Sequence, residues 1–197
     1  MTELCNLFYK YRSDKCPNIF HTYSPAYYDI FKDYKNDYKY ILEVGVGTNE
    51  IMKPISGEDY QIGSSLKSWR DFFPNAMVFG LDIDNSVLFE DERIKCFFTD
   101  QSKYESLENT ISTINSYVGD TIEYDFIIDD GSHVVNHMIL TFQTLKKYLR
   151  TGGIYVIEDI KFKDLEIFKE LETDEYKIIH THSGNLEWDS FVAFIKK

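Results

Sequence analysis

The sequence predicts an α/β fold in which a doubly wound, mostly parallel sheet carries helices on both faces. Short apolar runs of strand length alternate along the chain with longer segments whose apolar residues recur at helical spacing. Alternation of this kind is typical of parallel sheets covered by crossover helices. The run over residues 126–128 is apolar at every position, as expected of a strand that is buried on both faces.

The predicted elements follow one another in a regular order. A first helix covers residues 26–34, because Ser24-Pro25 places a capping residue and a proline at its start. Gly152-Gly153 is predicted to end the last long helix. Two final strands are joined by a turn with no helix between them, so we expect them to pair antiparallel. The intervening elements are strand 40–44, helix 64–73, strand 77–83, helix 104–118, strand 124–129, helix 135–149 and strand 154–157, followed by the final strands 176–182 and 191–195.

Composition limits the classes of protein that this chain can represent. With 197 residues, of which 43% are hydrophobic, we expect one domain over 1–197, divided into an N-terminal cap (1–35) and a Rossmann-like core (36–197). Apolar stretches fall well short of the roughly 20 residues that span a bilayer, so no membrane partner is expected. Three cysteines without metal-ligand spacing favour a reducing compartment, and we expect a cytoplasmic location. The net charge of −12 argues against a nucleic-acid partner.

Two acidic clusters each follow a short apolar run. Asp129, Asp130 and His133 lie together after one predicted strand, and Glu158 and Asp159 follow the next. Because ligands bind beyond the carboxyl ends of parallel strands, we expect these side chains to meet at one sheet edge. Oxygen ligands with an imidazole beside them favour a hard ion such as Mg2+ over zinc.

A glycine-rich turn follows the first strand. It reads Glu43-Val-Gly45-Val-Gly47, and its glycines allow the backbone to approach a ligand closely. A dinucleotide fingerprint requires a further small residue where Glu50 stands, and a carboxylate there would oppose pyrophosphate. Asp82 ends the next strand, where it can accept hydrogen bonds from ribose hydroxyls. The sequence therefore predicts an adenosyl ligand without phosphate.

With Asp100 shortly before the predicted helix 104–118, these motifs resemble the class I S-adenosylmethionine-dependent methyltransferases. The resemblance implies a seven-stranded sheet that ends in an antiparallel strand pair, with S-adenosylmethionine as cofactor. It implies that Gly45 and Gly47 border the methionine part, that Asp82 holds the ribose and that Asp100 lies near the adenine. The other candidate cofactor contacts are Glu43, Ser64, Ser65 and Asp129.

Three longer segments resemble the metal-dependent sugar O-methyltransferases of macrolide biosynthesis, of the mycinamicin type, and their cephalosporin-hydroxylase-like relatives. The segments are residues 64–74 (Ser-Ser-Leu-Lys-Ser-Trp-Arg-Asp-Phe-Phe-Pro), residues 128–133 and residues 152–159. The resemblance implies that His133 is the general base and that Mg2+ is bound by Asp130, Glu158 and Asp159. Residues 11–15 and His21-x-Tyr23 are similar to the family stretch that precedes its first helix, and we expect them to help close the cofactor or acceptor pocket.

The expected function is therefore Mg2+-dependent methyl transfer from S-adenosylmethionine to a hydroxyl of a sugar or similar small molecule. The macrolide enzymes carry a further N-terminal domain, so we expect a smaller acceptor such as a nucleotide-linked sugar, and a homo-oligomer remains open. One alternative is a non-catalytic adenosyl-binding or scaffolding protein. A second is a hydroxylase, although its iron site needs two histidines and only His133 is near. Gly45 and Gly47 could also form an ordinary tight turn, and Glu158 and Asp159 a solvated loop.

Overall fold

The structure, a computed structural model, describes residues 1–184 and 187–197. Its strands are β1 (Tyr40–Val44), β2 (Met77–Asp82), β3 (Glu90–Asp91), β4 (Ile94–Phe98), β5 (Tyr124–Asp129), β6 (Leu149–Ile157), β7 (Tyr176–Ser183) and β8 (Ser190–Lys196). Its helices are α1 (Glu3–Tyr11), α2 (Tyr23–Phe31), α3 (Asn49–Ser56), α4 (Ser64–Phe72), α5 (Tyr104–Val118), α6 (Val135–Leu145) and α7 (Leu165–Lys169). Across these described ranges, no helix is both long and apolar enough to cross a membrane.

One sheet in the order β3-β4-β2-β1-β5-β6-β8-β7 organises the chain. The strands from β4 to β6 run parallel, and β8 pairs antiparallel with both β6 and β7. The predicted fold class, with its final antiparallel pair, is confirmed. The sheet has eight strands rather than seven because the two-residue β3 adds to the edge at β4. A strand of two residues is too short to produce a readable alternation pattern.

Some predicted element boundaries are wrong. Helix α6 ends at Leu145, and Leu149 instead begins β6 by pairing with Tyr124. Gly152 and Gly153 therefore lie inside a strand and do not end a helix. The register of β5 and β6 shifts after Tyr124, and Gly152 has a φ of 76°. Glycine here allows the backbone conformation that an irregular part of the strand requires. Helix α2 also ends earlier than predicted, at Phe31.

The helices bury two apolar layers, one on each face of the sheet. On one face Trp69 of α4 is fully buried, and its ring lies 4.9 Å from Phe8 of α1 and 5.5 Å from Tyr27 of α2. Aromatic pairs at these distances contribute beyond the area they bury. The segment that joins α1 and α2 reaches the carboxyl end of β5, where Lys15 Nζ donates to Asp130.

Candidate active site

A cleft of about 850 Å³ opens at the carboxyl ends of β1, β2, β4 and β5. In the sheet, β1 lies between β2 and β5. After β1 the chain adds β2 and β4 on one side and then crosses to β5 on the other side, so the cleft lies where the strand order reverses. Crevices at such points are the usual ligand sites of open α/β sheets, and this volume accommodates a drug-sized molecule.

The glycine loop forms one wall of this cleft. Gly45 has a φ of 99° and Gly47 a φ of 87°, a backbone region that favours glycine. A Cβ atom on Gly45 would lie 2.0 Å from the carbonyl oxygen of Asp130. The amide of Asp130 also donates to the carbonyl of Val44 at 2.8 Å. Only a glycine lets the loop lie this close to the backbone of Asp130.

Asp82 and Asp100 lie in the cleft lining, as the sequence predicts for cofactor contacts. Asp82 Oδ2 accepts hydrogen bonds from the amides of Val46, at 2.8 Å, and Gly47, at 3.4 Å. Its carboxylate is therefore held by the glycine loop. Hydrogen bonds from Lys103 and Ser102 lower the pKa of Asp100 to about 2, so that carboxylate is ionised at neutral pH.

The remaining candidate cofactor residues divide into two groups. Ser64 and Ser65, at the start of α4, line the cleft. Glu43 and Asp129 are instead fully buried behind the lining. Asp129 accepts a hydrogen bond from Gln101 Nε2 at 2.7 Å, and burial raises its pKa to about 7. Burial likewise raises the pKa of Glu43 to about 7. Direct contact of these two carboxyl groups with a cofactor stays a prediction.

Asp130, His133 and Asp159, here called the acidic cluster, converge beside the glycine loop and line the same cleft. One potential ligand atom from each lies within 4.8 Å of those of the other two. His133 has a φ of 54° and Asp159 a φ of 51°, and holding non-glycine residues there costs on the order of 1 kcal/mol each. His133 Nδ1 is buried without a hydrogen-bond partner among the described residues. The two carboxylates offer the oxygen ligands that a hard divalent cation prefers, and the imidazole lies beside them.

Glu158 lies beside this group but is engaged differently. Its fully buried carboxylate accepts hydrogen bonds from the Tyr27 hydroxyl and from Lys15 Nζ. Burial and the nearby charges of Asp130 and Glu43 raise the pKa of Glu158 well above its usual value. Its assignment as a third metal ligand stays a prediction.

Several residues of the N-terminal segment contact the acidic cluster, which sequence reasoning did not predict. The Tyr23 hydroxyl donates to Asp159 Oδ1 at 2.7 Å, and His21 Nε2 lies 3.4 Å from the same oxygen. Burial opposes the ionised form of Asp159, but His21 holds the pKa of this carboxyl below its usual range. The similarity over residues 11–15 and His21-x-Tyr23 indicated a pocket-closing stretch. It did not indicate that Lys15, or Tyr27 beyond that stretch, would contact the carboxylates.

Aromatic side chains border the cleft next to the acidic cluster. Phe20 is 43% exposed and Trp188 is 36% exposed, although both are large apolar residues. The Trp188 ring centroid lies 6.3 Å from that of His133, and Lys161 Nζ lies 4.0 Å from the Trp188 ring centroid. Exposed aromatic residues in a cleft provide an apolar surface for a ligand.

No protein-family model matches the chain. Among characterised proteins, mycinamicin VI 2''-O-methyltransferase of Micromonospora griseorubida is 35% identical over 140 residues, which are 71% of this chain and 32% of that protein. The 8-demethyl-8-alpha-L-rhamnosyl tetracenomycin-C 2'-O-methyltransferase of Streptomyces olivaceus is 32% identical over 158 residues, 80% of this chain and 38% of that protein. The chain thus spans about a third of the length of the curated relatives that it matches.

Solved structures agree with these relationships. The MycE methyltransferase of the mycinamycin biosynthetic pathway, in complex with Mg and SAH, has a TM-score of 0.76 and 27% identity, and it covers 99% of this chain and 55% of its own. The SAH-bound methyltransferase PaMTH1 of Podospora anserina has a TM-score of 0.57 at 12% identity, covers 100% of this chain and 89% of its own, and shows the fold alone. Together the comparisons confirm the resemblance to sugar O-methyltransferases that the motifs indicated.

Proposed function

We propose that the chain transfers the methyl group of S-adenosylmethionine to a hydroxyl of a sugar, with the help of a bound divalent cation, Mg2+ in the first place. One observation carries this proposal: the glycine loop with Asp82 and the group of Asp130, His133 and Asp159 line the same cleft. An adenosyl site and a metal-and-base site in one cavity can act on the same two reactants. The names of the relatives, and the Mg and SAH of the MycE complex, support it.

The charge of the cleft is consistent with this cofactor. Among the described residues that line it are six aspartates, with no lysine or arginine. A negative lining favours the positively charged sulfonium of S-adenosylmethionine and a divalent cation. The glycine loop and Ser64 and Ser65 would border the methionine part, while Asp82 and Asp100 would contact the ribose and the adenine.

The residues of the acidic cluster have distinct tasks in the proposed reaction. A divalent cation held by Asp130 and Asp159, with Glu158 as the further predicted ligand, would lower the pKa of a hydroxyl bound to it. His133 would accept the hydroxyl proton while the new carbon–oxygen bond forms and the carbon–sulfur bond of the cofactor breaks. A base in this role typically contributes roughly 100- to 10,000-fold in rate.

The lining also bears on the acceptor. Phe20 and Trp188 offer apolar surface to the carbon–hydrogen face of a sugar beside His133. The six aspartates disfavour the nucleotide-linked acceptor considered from the sequence, because its phosphates would face carboxylates. We therefore propose an acceptor sugar without phosphate. The homo-oligomeric form, the cytoplasmic location and the division into cap and core stay predictions.

Incubation of the purified chain with S-adenosylmethionine, Mg2+ and two panels of acceptors tests the proposal. One panel holds phosphate-free glycosides and the other nucleotide-linked sugars, and mass spectrometry follows the addition of one methyl group. Transfer to the first panel is expected. If SAH, measured by calorimetry, fails to bind, the adenosyl site is contradicted. Binding of SAH without transfer to any acceptor would instead favour the non-catalytic alternative.

A further inference from the structure

Lys15 is almost completely buried in the midst of carboxylates. Its side chain is 1% exposed, and its Nζ donates to Asp130 Oδ2 at 2.5 Å and to Glu158 Oε2. Glu43 Oε1 lies 3.7 Å from the same nitrogen. Lysine is rarely buried, and a buried ammonium persists only where opposite charges compensate its lost hydration. The contacts of Lys15 with three different strand ends meet this condition.

The backbone of Lys15 is fixed by both neighbouring helices. The amide of Ser13 donates to the carbonyl of Phe8 in α1 at 2.9 Å, and the amide of Ser24 in α2 donates to the carbonyl of Lys15 at 3.0 Å. The ammonium is therefore directed to the carboxylates by helices that pack elsewhere on the protein. Such preorganisation is what a supporting group of a metal site requires.

Charge explains why the carboxylates need this lysine. Without the ammonium, these acidic side chains would face one another in a poorly hydrated site. Without their hydrogen bonds to Lys15 Nζ, nothing at this point would fix the distance between the Asp130 and Glu158 carboxyl groups, and their arrangement around a cation would be lost.

We propose that Lys15 is a positioning residue of the metal site, whose ammonium holds Asp130 and Glu158 in place for the cation. This role rests on the proposed function, since the cation is the one required for methyl transfer. Lys15 approaches from the buried side, whereas the Asp130 side chain is 18% exposed and lines the cleft. A cation can therefore reach Asp130 from the cleft while Lys15 stays in place.

A different role of Lys15 predicts the opposite change in cation affinity when its ammonium is removed. If Lys15 acted only as a competing positive charge, its removal would tighten cation binding, because the repulsion between two cations would disappear. If Lys15 positions the carboxylates, its removal weakens cation binding. Loss of a supporting partner of a metal ligand typically costs about 10- to 100-fold in metal affinity.

A titration with Mn2+ in the presence of SAH, followed by electron paramagnetic resonance, shows whether removal of the Lys15 ammonium weakens or tightens cation binding. Lys15→Met is expected to weaken Mn2+ binding at least about tenfold. Lys10→Met makes the same chemical change at an exposed ion pair with Asp71 and is expected to leave Mn2+ binding unchanged. SAH should bind to all three proteins in the absence of metal, which shows that each is folded and that its adenosyl site is present. Unchanged or tighter Mn2+ binding by Lys15→Met overturns the proposal.

Lys15→Met leaves buried carboxylates without their counter-charge, so a second variant guards against loss of folding. The double variant Lys15→Met/Glu43→Gln also removes one carboxylate, and removing both members of a buried pair costs less than removing one. It is expected to fold and to bind Mn2+ weakly, and wild-type affinity would overturn the proposal. If neither variant folds, 13Cε-lysine NMR of the wild type decides. The Lys15 signal must shift on Mg2+ saturation, and an unmoved signal overturns the proposal.

Binding measurements on the wild-type chain distinguish a failure of the proposed function from a failure of the role of Lys15. If it binds neither SAH nor Mn2+, the proposed function fails, and the role of Lys15 fails with it. If it binds both ligands, and Lys15→Met binds Mn2+ equally well, only the role of Lys15 is overturned.

Discussion

Gly45→Ala tests whether the glycine loop must lie against the backbone of Asp130. An L-residue at the φ of 99° found here costs about 1–2 kcal/mol. The added Cβ would also lie 2.0 Å from the oxygen and 2.7 Å from the carbon of the Asp130 carbonyl. These are backbone atoms that cannot rotate away, and forced overpacking costs a further ~1–3 kcal/mol. Gly45→Ala should therefore lower the free energy of unfolding by roughly 2–5 kcal/mol.

Gly119→Ala is the matched control. Gly119 has a φ of 82°, and a Cβ there meets nothing within 4 Å, so only the conformational cost of about 1–2 kcal/mol applies. Urea unfolding measures both variants, and calorimetry with SAH measures cofactor binding. Gly45→Ala should weaken SAH binding at least about tenfold, a change of 1.4 kcal/mol, and Gly119→Ala should not change it. Equal unfolding free energies and equal SAH affinities of the two variants would refute the reasoning.

Three further predictions concern the base, the metal and a buried acid. His133→Ala should slow methyl transfer about 100- to 10,000-fold without loss of SAH affinity, whereas His180→Ala on β7 should not slow it; equal rates would exclude His133 as the base. A chelator should abolish transfer while calorimetry shows SAH still bound, and transfer that survives would contradict the role of the metal. Because burial raises the pKa of Glu43 from 4.5 to about 7, the folded state keeps a proton that the unfolded chain releases. Between those values the wild type should therefore lose stability, relative to Glu43→Gln, as pH rises, by up to about 3 kcal/mol. Urea unfolding near pH 5 and near pH 8 checks this, and identical pH dependence of the two proteins would contradict it.

The sequence predicts well what depends on the sheet. Asp130 and Asp159 converge because β5 and β6 are neighbouring parallel strands, and the apolar runs before both residues indicate this. Lys15 was not predicted as a partner of the acids because it meets Asp130 and Glu158 across 115 and 143 residues of sequence, through packing that no local pattern encodes.

Some predicted element boundaries are wrong for a related reason. Gly152-Gly153 is a common helix ending, yet here pairing of Leu149 with Tyr124 extends β6 through both glycines. Tertiary hydrogen bonding therefore overrides a local signal. The additional strand β3 exists only through its pairing with β4, and its two residues, Glu90 and Asp91, are exposed.

Asp130 belongs to two structures at once. Its amide and carbonyl lie against the glycine loop, while its carboxylate lies on Lys15 and faces His133 and Asp159. A shift of this single residue would move both the glycine loop and the acidic cluster, so we expect S-adenosylmethionine and Mg2+ to bind cooperatively. Thermodynamic reciprocity then requires that the factor by which Mg2+ changes the affinity for S-adenosylmethionine equals the factor by which S-adenosylmethionine changes the affinity for Mg2+.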